Sequence, residues 1–382
     1  MKIFHLISSE GLYGAEVMLL NLASEQKRLG AEPIIALFQN EHSQNLEMTE
    51  EAIRRGLTLE LFTCRGRVDF LTVRSIREWL KNSNVDLVHA HGYKSDIYGY
   101  FSARPLEVPF LATCHCHLWT GASRLVRLYQ LFDCRVLRRA DRVVAVADSI
   151  ANALVDSGVR RSRVSTIYNG TDLLRYAEGR PNLRSELGIG DRPLIGAVAR
   201  LVKGKGLEYF VHAAKEIVRE VPAATFVIVG DGPLRAQLEE LIVSLGLQSR
   251  VRLLGRRTDM PAVYASLDVF VLASIDEGMP MTILEALAAK RPVVATRVGA
   301  VDKVVLSQQT GLLVAARSAP ALQEAILRCL RDPYFSRGLA QKGFELVHGA
   351  FSAEAMARQY LDIYHDVLFK RETVARPSFR EA

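Results

Sequence analysis

The chain has 382 residues, 49% hydrophobic and 24% charged, and carries a net charge of +7. At about 150 residues per domain this length accommodates two ordinary cores. No apolar run approaches the roughly 18 residues that cross a bilayer, and five scattered cysteines fit a reducing compartment better than a disulfide framework. A soluble, cytoplasmic protein is expected, and the positive charge leaves nucleic acid or anionic membrane open as partners.

Met1 to Ile7 reads as a first strand and not as a signal peptide, because Ser8, Ser9 and Glu10 cut the apolar stretch short. Strands are expected near 2–8, 32–38, 57–62, 85–89, 109–114, 142–146 and 163–167. A second series begins near Pro193, with strands near 193–199, 224–230, 250–254, 268–272, 292–296 and 312–314. Helical patterns separate them, which is the mark of parallel sheets covered on both faces. Residues 1–172 then form one domain and 190–350 a second, with the polar stretch Arg175 to Arg192 as linker. A last helix, Ser352 to about Lys370, is expected to cross back onto the first domain. Open parallel sheets bind ligands beyond the carboxyl ends of their strands, so two facing sheets would hold a ligand in the cleft between them.

Several chemistry-bearing positions follow in chain order. Gly11 to Glu16, with Gly14 at the centre, lies between the first strand and an amphipathic helix, where glycine permits close backbone approach. The full dinucleotide spacing G-x-G-x-x-G is missing, which argues against an oxidoreductase. His89 and His91 flank a strand end and suit packing or acceptor contact. Cys114, His115, Cys116 and His117 invite a metal reading, but four consecutive residues on a strand alternate faces and cannot converge on one tetrahedral ion. No metal site is expected. His115 ends the strand 109–114 at the ligand-facing edge, where histidine serves either structure or ligand.

From Ala122 to Arg142 a helix turning about 100° per residue puts Arg124, Arg127, Arg135, Arg138 and Arg139 on one sector. Leu125, Tyr129, Phe132 and Val136 fall beside it. The pattern fits a helix resting on acidic headgroups; it equally fits a core-facing helix with a solvated arginine face.

Arg200 ends the first strand of the second domain and Lys205-Gly206 follows, so two cations stand where they would neutralise a departing diphosphate. A solvated Lys-Gly turn is the plainer alternative. No Asp-x-Asp pair is present to hold Mg²⁺ beside such a group. Residues 276–296 carry the most information. Pro280 suits a first helical position, which would aim the amides of Met281, Thr282 and Ile283 at an anion. Gly278 clears the approach. Glu277 in the loop and Glu285 about one turn into the helix would accept hydroxyl hydrogen bonds on either side, which implies a nucleotide sugar. Both glutamates also fit simple charges near a helix start. Against that, Glu285 interrupts the apolar run Ile283, Leu284, Ala286, Leu287 and Ala288, where a charge needs a partner.

Taken together, Gly11 to Glu16, Thr113 to His115, Asn169 to Asp172, Arg200 to Gly206, Val229 to Pro233 and Glu277 to Glu285 form an ordered series over nearly the whole chain. It resembles the retaining GT-B glycosyltransferases of the family-4 type. The resemblance implies an α/β fold of two facing Rossmann-like, doubly wound domains with an inter-domain cleft. It implies a donor nucleotide diphosphate sugar bound mainly by the second domain, with Arg200 and Lys205 on the diphosphate, Glu285 on the ribose and Glu277 on the sugar hydroxyls. His115 would contact the donor sugar, and Gly14 would lie near the phosphates and acceptor.

His115, Arg200, Lys205 and Glu277 are therefore the expected catalytic set, and Gly14, Gly278, Met281, Thr282, Ile283 and Glu285 the expected donor-binding set. The reaction implied is a metal- and cofactor-independent hexosyl transfer to a lipid-linked or polysaccharide acceptor in cell-surface glycan synthesis. It would take place at the inner face of the cell membrane, with peripheral contact to anionic lipid and no role for nucleic acid. Three positions depart from the family pattern. Ala289-Lys290-Arg291-Pro292 lacks the usual glycine before the proline, Gly299-Ala300 stands for a glycine pair, and Lys303 takes a position often held by glutamate. The rival readings are a GT-B-shaped nucleotide-sugar 2-epimerase and a non-catalytic nucleotide-sugar-binding protein.

Overall fold

The computed structural model describes residues 1–9, 11–39, 46–66, 69–115 and 124–375, except the side chains of 46, 124–128 and 371–375. Cys116 and His117, and the side chains of Arg124, Leu125 and Arg127, lie outside the described residues. The chain forms two compact units, Met1–Asn169 with Ala353–Ala382, and Gly170–Ser352.

The first unit runs β1 (Lys2–Ile7), α1 (Gly14–Arg28), β2 (Glu32–Gln39), α2 (Leu46–Arg54), β3 (Thr58–Thr63), α3 (Phe70–Ser83), β4 (Leu87–His91), α4 (Tyr93–Ala103), β5 (Phe110–Cys114), α5 (Arg124–Leu137), β6 (Arg142–Ala145), α6 (Asp148–Asp156) and β7 (Val164–Thr166). Its seven-stranded sheet has the order β3-β2-β1-β4-β5-β6-β7, parallel at every pairing. Strands such as β1 and β5 are almost wholly buried, as expected where helices cover both faces.

The second unit runs α7 (Leu173–Ala177), α8 (Leu183–Leu187), β8 (Leu194–Val198), α9 (Leu207–Glu220), β9 (Thr225–Val229), α10 (Arg235–Ser244), β10 (Val251–Gly255), α11 (Met260–Ser266), β11 (Val269–Leu272), α12 (Met281–Ala288), β12 (Val293–Thr296), β13 (Leu312–Val314), α13 (Ala319–Arg331) and α14 (Pro333–Ala350). Its six-stranded sheet has the order β10-β9-β8-β11-β12-β13, again all parallel. Phe210 and Phe226 meet edge to face with centroids 5.7 Å apart in its core.

In each sheet the strand order reverses once, at β1/β4 and at β8/β11. Loops leaving the two strands of such a switch point diverge to opposite faces and open a crevice for ligand. In the second unit those loops are the ones that carry Lys205 and Glu277. In the first they follow β1, toward Gly14, and β4, after His91.

The last helix, α15 (Ala353–Ala375), belongs to the first unit. Tyr360 and Tyr364 on it are fully buried, and its Asp366 pairs with Arg142 of β6.

Four local expectations are corrected. The stretch 175–192 is not an open linker, since Tyr176 and Leu183 bury completely or nearly so in the second unit. Strand β4 starts two residues later than its pattern suggests and takes in His91. Helix α5 ends at Leu137, so Arg138 and Arg139 leave the arginine sector, and Arg138 donates instead to the Ser157 carbonyl from its Nε at 2.8 Å. Pro280 is the cap before α12 and not its first residue.

Candidate active site

In the second unit the β8–α9 loop supplies Arg200, exposed, and Lys205, while the β11–α12 loop supplies Glu277. Lys205 Nζ donates to Glu277 Oε1 at 2.6 Å, and Ser274 Oγ donates to the same oxygen at 2.7 Å. The side chain of Glu277 is only 8% exposed and that of Lys205 25%, so the carboxylate is held in a low-dielectric place by a cation and a hydroxyl. Its second oxygen, Oε2, takes part in neither bond.

Two glycines let the backbones approach. At Gly206, with φ of +56°, a Cβ would stand 2.3 Å from the Ala273 carbonyl oxygen, and at Gly299, with φ of +54°, 2.1 Å from that of Glu277. Only glycine adopts this backbone and fits this space without strain. The loop 273–278 is further tied by Ile275 N–H to the Gly204 carbonyl and by Ala300 N–H to the Gly278 carbonyl, both 2.8 Å.

Helix α12 begins directly after this loop. The amides of Met281, Thr282 and Ile283 fall in its first turn, where no carbonyl within the helix accepts them. Met281 and Ile283 bury their side chains, so only their backbones are offered to a ligand; Thr282 is half-buried.

One turn on, Glu285 is buried and Tyr264 donates its hydroxyl to Oε2 at 2.7 Å. Burial raises the Glu285 carboxyl above its ordinary range, while hydrogen bonds from Tyr264 and Tyr176 and the charge of Arg175 act against that shift. The Tyr264 phenol is itself pushed well up by burial and by the Glu285 charge, which keeps its proton on as a donor. Thus the buried charge anticipated from the apolar run does have partners, two tyrosines that sequence spacing alone does not reveal.

The first unit carries the remaining expected residues. Gly14 opens α1 and is exposed, while Glu16 reaches back to accept from the Tyr13 N–H at 3.2 Å in a capping arrangement. His115 follows β5 and is the end of a line of imidazoles. Its Nε2 lies 3.2 Å from His91 Nδ1, and His91 Nε2 lies 3.2 Å from His5 Nδ1. His5 Nε2 donates to Gln26 Oε1 at 2.8 Å. His89, beside them, bonds Tyr364 OH at 2.6 Å and Thr113 Oγ1 at 2.7 Å.

Burial lowers the His5 and His115 rings to about 4 and holds His89 and His91 well below the ordinary value, so all four are neutral near pH 7. Nitrogens of His5, His89 and His91 come within 4.8 Å of one another, a metal-ligand spacing. However, both nitrogens of each of these rings already have hydrogen-bond partners, and the chemistry of the cluster is that of a satisfied network.

The cluster has a signal in the strand pattern that the spacing of His89 and His91 alone does not give. His5 pairs in register with His89, and His91 with Thr113; residues two apart on a strand share a face. His5, His89, His91, Thr113 and His115 therefore lie on one side of three neighbouring strands.

Residues 13–175 match the family model described as Glycosyltransferase Family 4, and residues 192–332 the model described as Glycosyl transferases group 1. The lipopolysaccharide core biosynthesis glycosyltransferase LpsE of Rhizobium meliloti is 32% identical over 248 residues, 64% of this chain and 70% of LpsE. The chain is a family-4, group 1 glycosyltransferase. Another relative of this glycosyltransferase is the UDP-Gal:alpha-D-GlcNAc-diphosphoundecaprenol alpha-1,3-galactosyltransferase of Escherichia coli, 27% identical over 314 residues, 79% of this chain and 81% of the relative. The crystal structure of Anabaena HepE in complex with UDP-glucose superposes with a TM-score of 0.84 at 23% identity, covering 96% of this chain and all of HepE. The glycosyltransferase thus has the GT-B fold, with one Rossmann-like domain in each unit.

Proposed function

We propose that this glycosyltransferase moves a hexose from a nucleotide diphosphate sugar, with retention and without a metal ion, to a lipid-linked or polysaccharide acceptor in cell-surface glycan synthesis. The observation that carries the reading is the Lys205–Glu277 pair at the switch point of the second sheet, immediately before the start of α12. A cation and a carboxylate side by side suit a substrate that is an anion at one end and a polyol at the other.

Glycosyl transfer breaks the bond between the anomeric carbon and a phosphate oxygen through an oxocarbenium-like state, and negative charge grows on the diphosphate. The largest rate gain comes from groups that meet that charge as it forms. Lys205, Arg200 and the first-turn amides of α12 are assigned this task, which supplies electrophilic help without a metal. Glu277 accepts sugar hydroxyls on Oε2, since Oε1 is occupied by Lys205 and Ser274. Glu285 accepts from the ribose, with Tyr264 fixing its carboxylate.

His115 meets the donor sugar, and Gly14 leaves room for phosphates and acceptor. For retention, the acceptor oxygen bonds the anomeric carbon on the face the phosphate leaves, and the acceptor proton passes to the departing phosphate oxygen. The products are then the glycosylated acceptor and the protonated nucleoside diphosphate.

The acceptor class follows from the lipopolysaccharide-core and diphosphoundecaprenol-linked activities of the Rhizobium and Escherichia relatives. Among the described residues no helix is long and apolar enough to cross a membrane, and on α5 the exposed Leu131 and Phe132 stand beside exposed Arg135. That combination supports peripheral contact with anionic lipid. Thermal shift against UDP-, GDP- and ADP-sugars tests the donor, because a ligand that binds only the native state raises the melting temperature. NMR of the product's anomeric centre tests retention.

A further inference from the structure

The imidazole line that ends at His115 has a direction, and one side chain sets it. Gln26, fully buried on α1, lies between two branches of buried hydrogen bonds. Its carbonyl oxygen Oε1 is 2.8 Å from His5 Nε2, and its amide nitrogen is 3.3 Å from the Tyr364 hydroxyl. A carbonyl oxygen only accepts and an amide nitrogen only donates.

His5 therefore carries its hydrogen on Nε2 and accepts on Nδ1, which requires His91 to donate from Nε2 and to accept on Nδ1. His115 then donates from Nε2, and its own Nδ1 keeps a lone pair. Along the other branch Tyr364 accepts from Gln26 and donates to His89 Nδ1, His89 donates from Nε2 to Thr113, and Thr113 donates to Tyr360, 3.1 Å away. Each hydrogen bond in both branches then joins one donor to one acceptor. Turning the Gln26 amide over reverses every bond and puts the His115 hydrogen on Nδ1.

We propose that Gln26 is a positioning residue for the transfer reaction, acting through His5 and His91 to present His115 with hydrogen on Nε2 and a lone pair on Nδ1. This rests on the reading that His115 meets the donor sugar. On that reading His115 works as an acceptor for a sugar hydroxyl and not as a donor or a cation. The neighbours facing the line are themselves uncharged at neutral pH: His89, whose ring sits 5.1 Å from His5 and 4.2 Å from His91, and the phenols of Tyr360 and Tyr364, pushed up by burial. Such surroundings favour one fixed tautomer, because the hydrogen bond at one ring nitrogen decides the state of the other.

Long-range proton–nitrogen NMR on the full chain with ¹⁵N-labelled histidine reads the tautomers directly. The expected spectrum shows His5, His91 and His115 protonated on Nε2 alone at pH 7. Protonation of His115 on Nδ1, an exchange-averaged pair of forms, or one equivalent of tightly held zinc on these rings by elemental analysis would each overturn the proposal. In Gln26→Met the His115 signal should become a mixture and kcat fall about tenfold with donor KM within about twofold, while Gln26→Glu, an acceptor of the same length, should keep kcat within about threefold of the parent.

If Glu proves as poor as Met in a folded protein, or if Met mixes the tautomers without lowering kcat, the positioning role is wrong. Should the Gln26 variants not fold, His91→Phe breaks the same line and carries the same expectations as Gln26→Met. His115→Ala separates the two claims: full activity there removes the sugar-contact reading while leaving the tautomer assignment intact.

Discussion

Lys205 Nζ stands 2.6 Å from Glu277 Oε1, so two residues expected to touch opposite ends of the donor are bonded to each other. Each neutralises the other in a partly buried place, and the pair offers a phosphate and a hydroxyl adjacent contacts. Lys205→Ala should lower kcat about a hundredfold while donor KM moves less than about threefold, because the cation serves charge that appears only in the transition state. It should also destabilise the fold by about 1–3 kcal/mol, since Glu277 is left buried without its cation. Adding Glu277→Gln should recover the stability and none of the turnover. Steady-state kinetics and thermal melts of the single and double variants check this, and a KM effect alone contradicts it.

Glu285 is the second test. Tyr264→Phe removes the 2.7 Å hydrogen bond that opposes the upward shift of the carboxyl. Nucleoside diphosphate affinity, measured by calorimetry, should fall about tenfold in Tyr264→Phe and further in Glu285→Ala. In the proposed ribose role an ionised Glu285 accepts the hydroxyl and a protonated one does so poorly, so affinity should weaken as pH falls toward the raised pKa. This weakening should begin at higher pH in the Phe variant. Equal affinity in both variants and the parent rejects the ribose role.

The acid stability of the first unit follows from its histidines. His5 and His115 titrate near 4 when folded and near 6.5 when unfolded, and His89 and His91 shift the same way. The unfolded state therefore binds more protons below about pH 6.5. The stability linked to neutral burial is fully present above that pH, and declines as pH falls toward 4 by up to about 1.4 kcal/mol per unit for each ring. Denaturant melts from pH 8 to 4.5 should show a plateau and then this slope, which should become shallower in His5→Gln. A flat profile through pH 5 contradicts the burial of four neutral rings.

Every strand of both sheets was legible in the amino-acid pattern to within about two residues, because parallel strands buried on both faces are short apolar runs that polar helical surfaces interrupt. What escaped was polar and buried. His91 reads as a loop residue on hydropathy and is instead the end of β4, and Gln26, Tyr264 and Tyr364 look like ordinary helix residues until the partners arrive from 338 and 21 positions away. Glu277 and Lys205 are found by motif, whereas their bond to each other depends on two loops converging at a switch point. Lys290 shows the same limit. The missing family glycine is visible in sequence, but only the structure reveals that Lys290 adopts the left-handed backbone, φ of +55°.

That backbone gives a further prediction. A non-glycine residue in the left-handed region costs about 1–2 kcal/mol, offset here by the ammonium of Lys290 lying 4.6 Å from the Phe344 ring. Lys290→Gly should leave the stability within about 0.5 kcal/mol of the parent, since the relief is matched by the lost cation–π contact and the added freedom of the unfolded chain. Lys290→Ala should destabilise it, as it loses the contact and keeps the strain. Urea melts of the two variants decide the order.

The second unit is proposed to grip a nucleotide diphosphate sugar through Lys205, Glu277 and Glu285. Calorimetric titration of the full chain with UDP-, GDP- and ADP-sugars in the presence of a chelator tests it most directly. One sugar nucleotide should bind at one equivalent, and binding should vanish in the protein carrying Lys205→Ala, Glu277→Ala and Glu285→Ala together. Binding that needs a divalent metal, or that survives the triple substitution, would show that these three side chains do not hold the donor without metal.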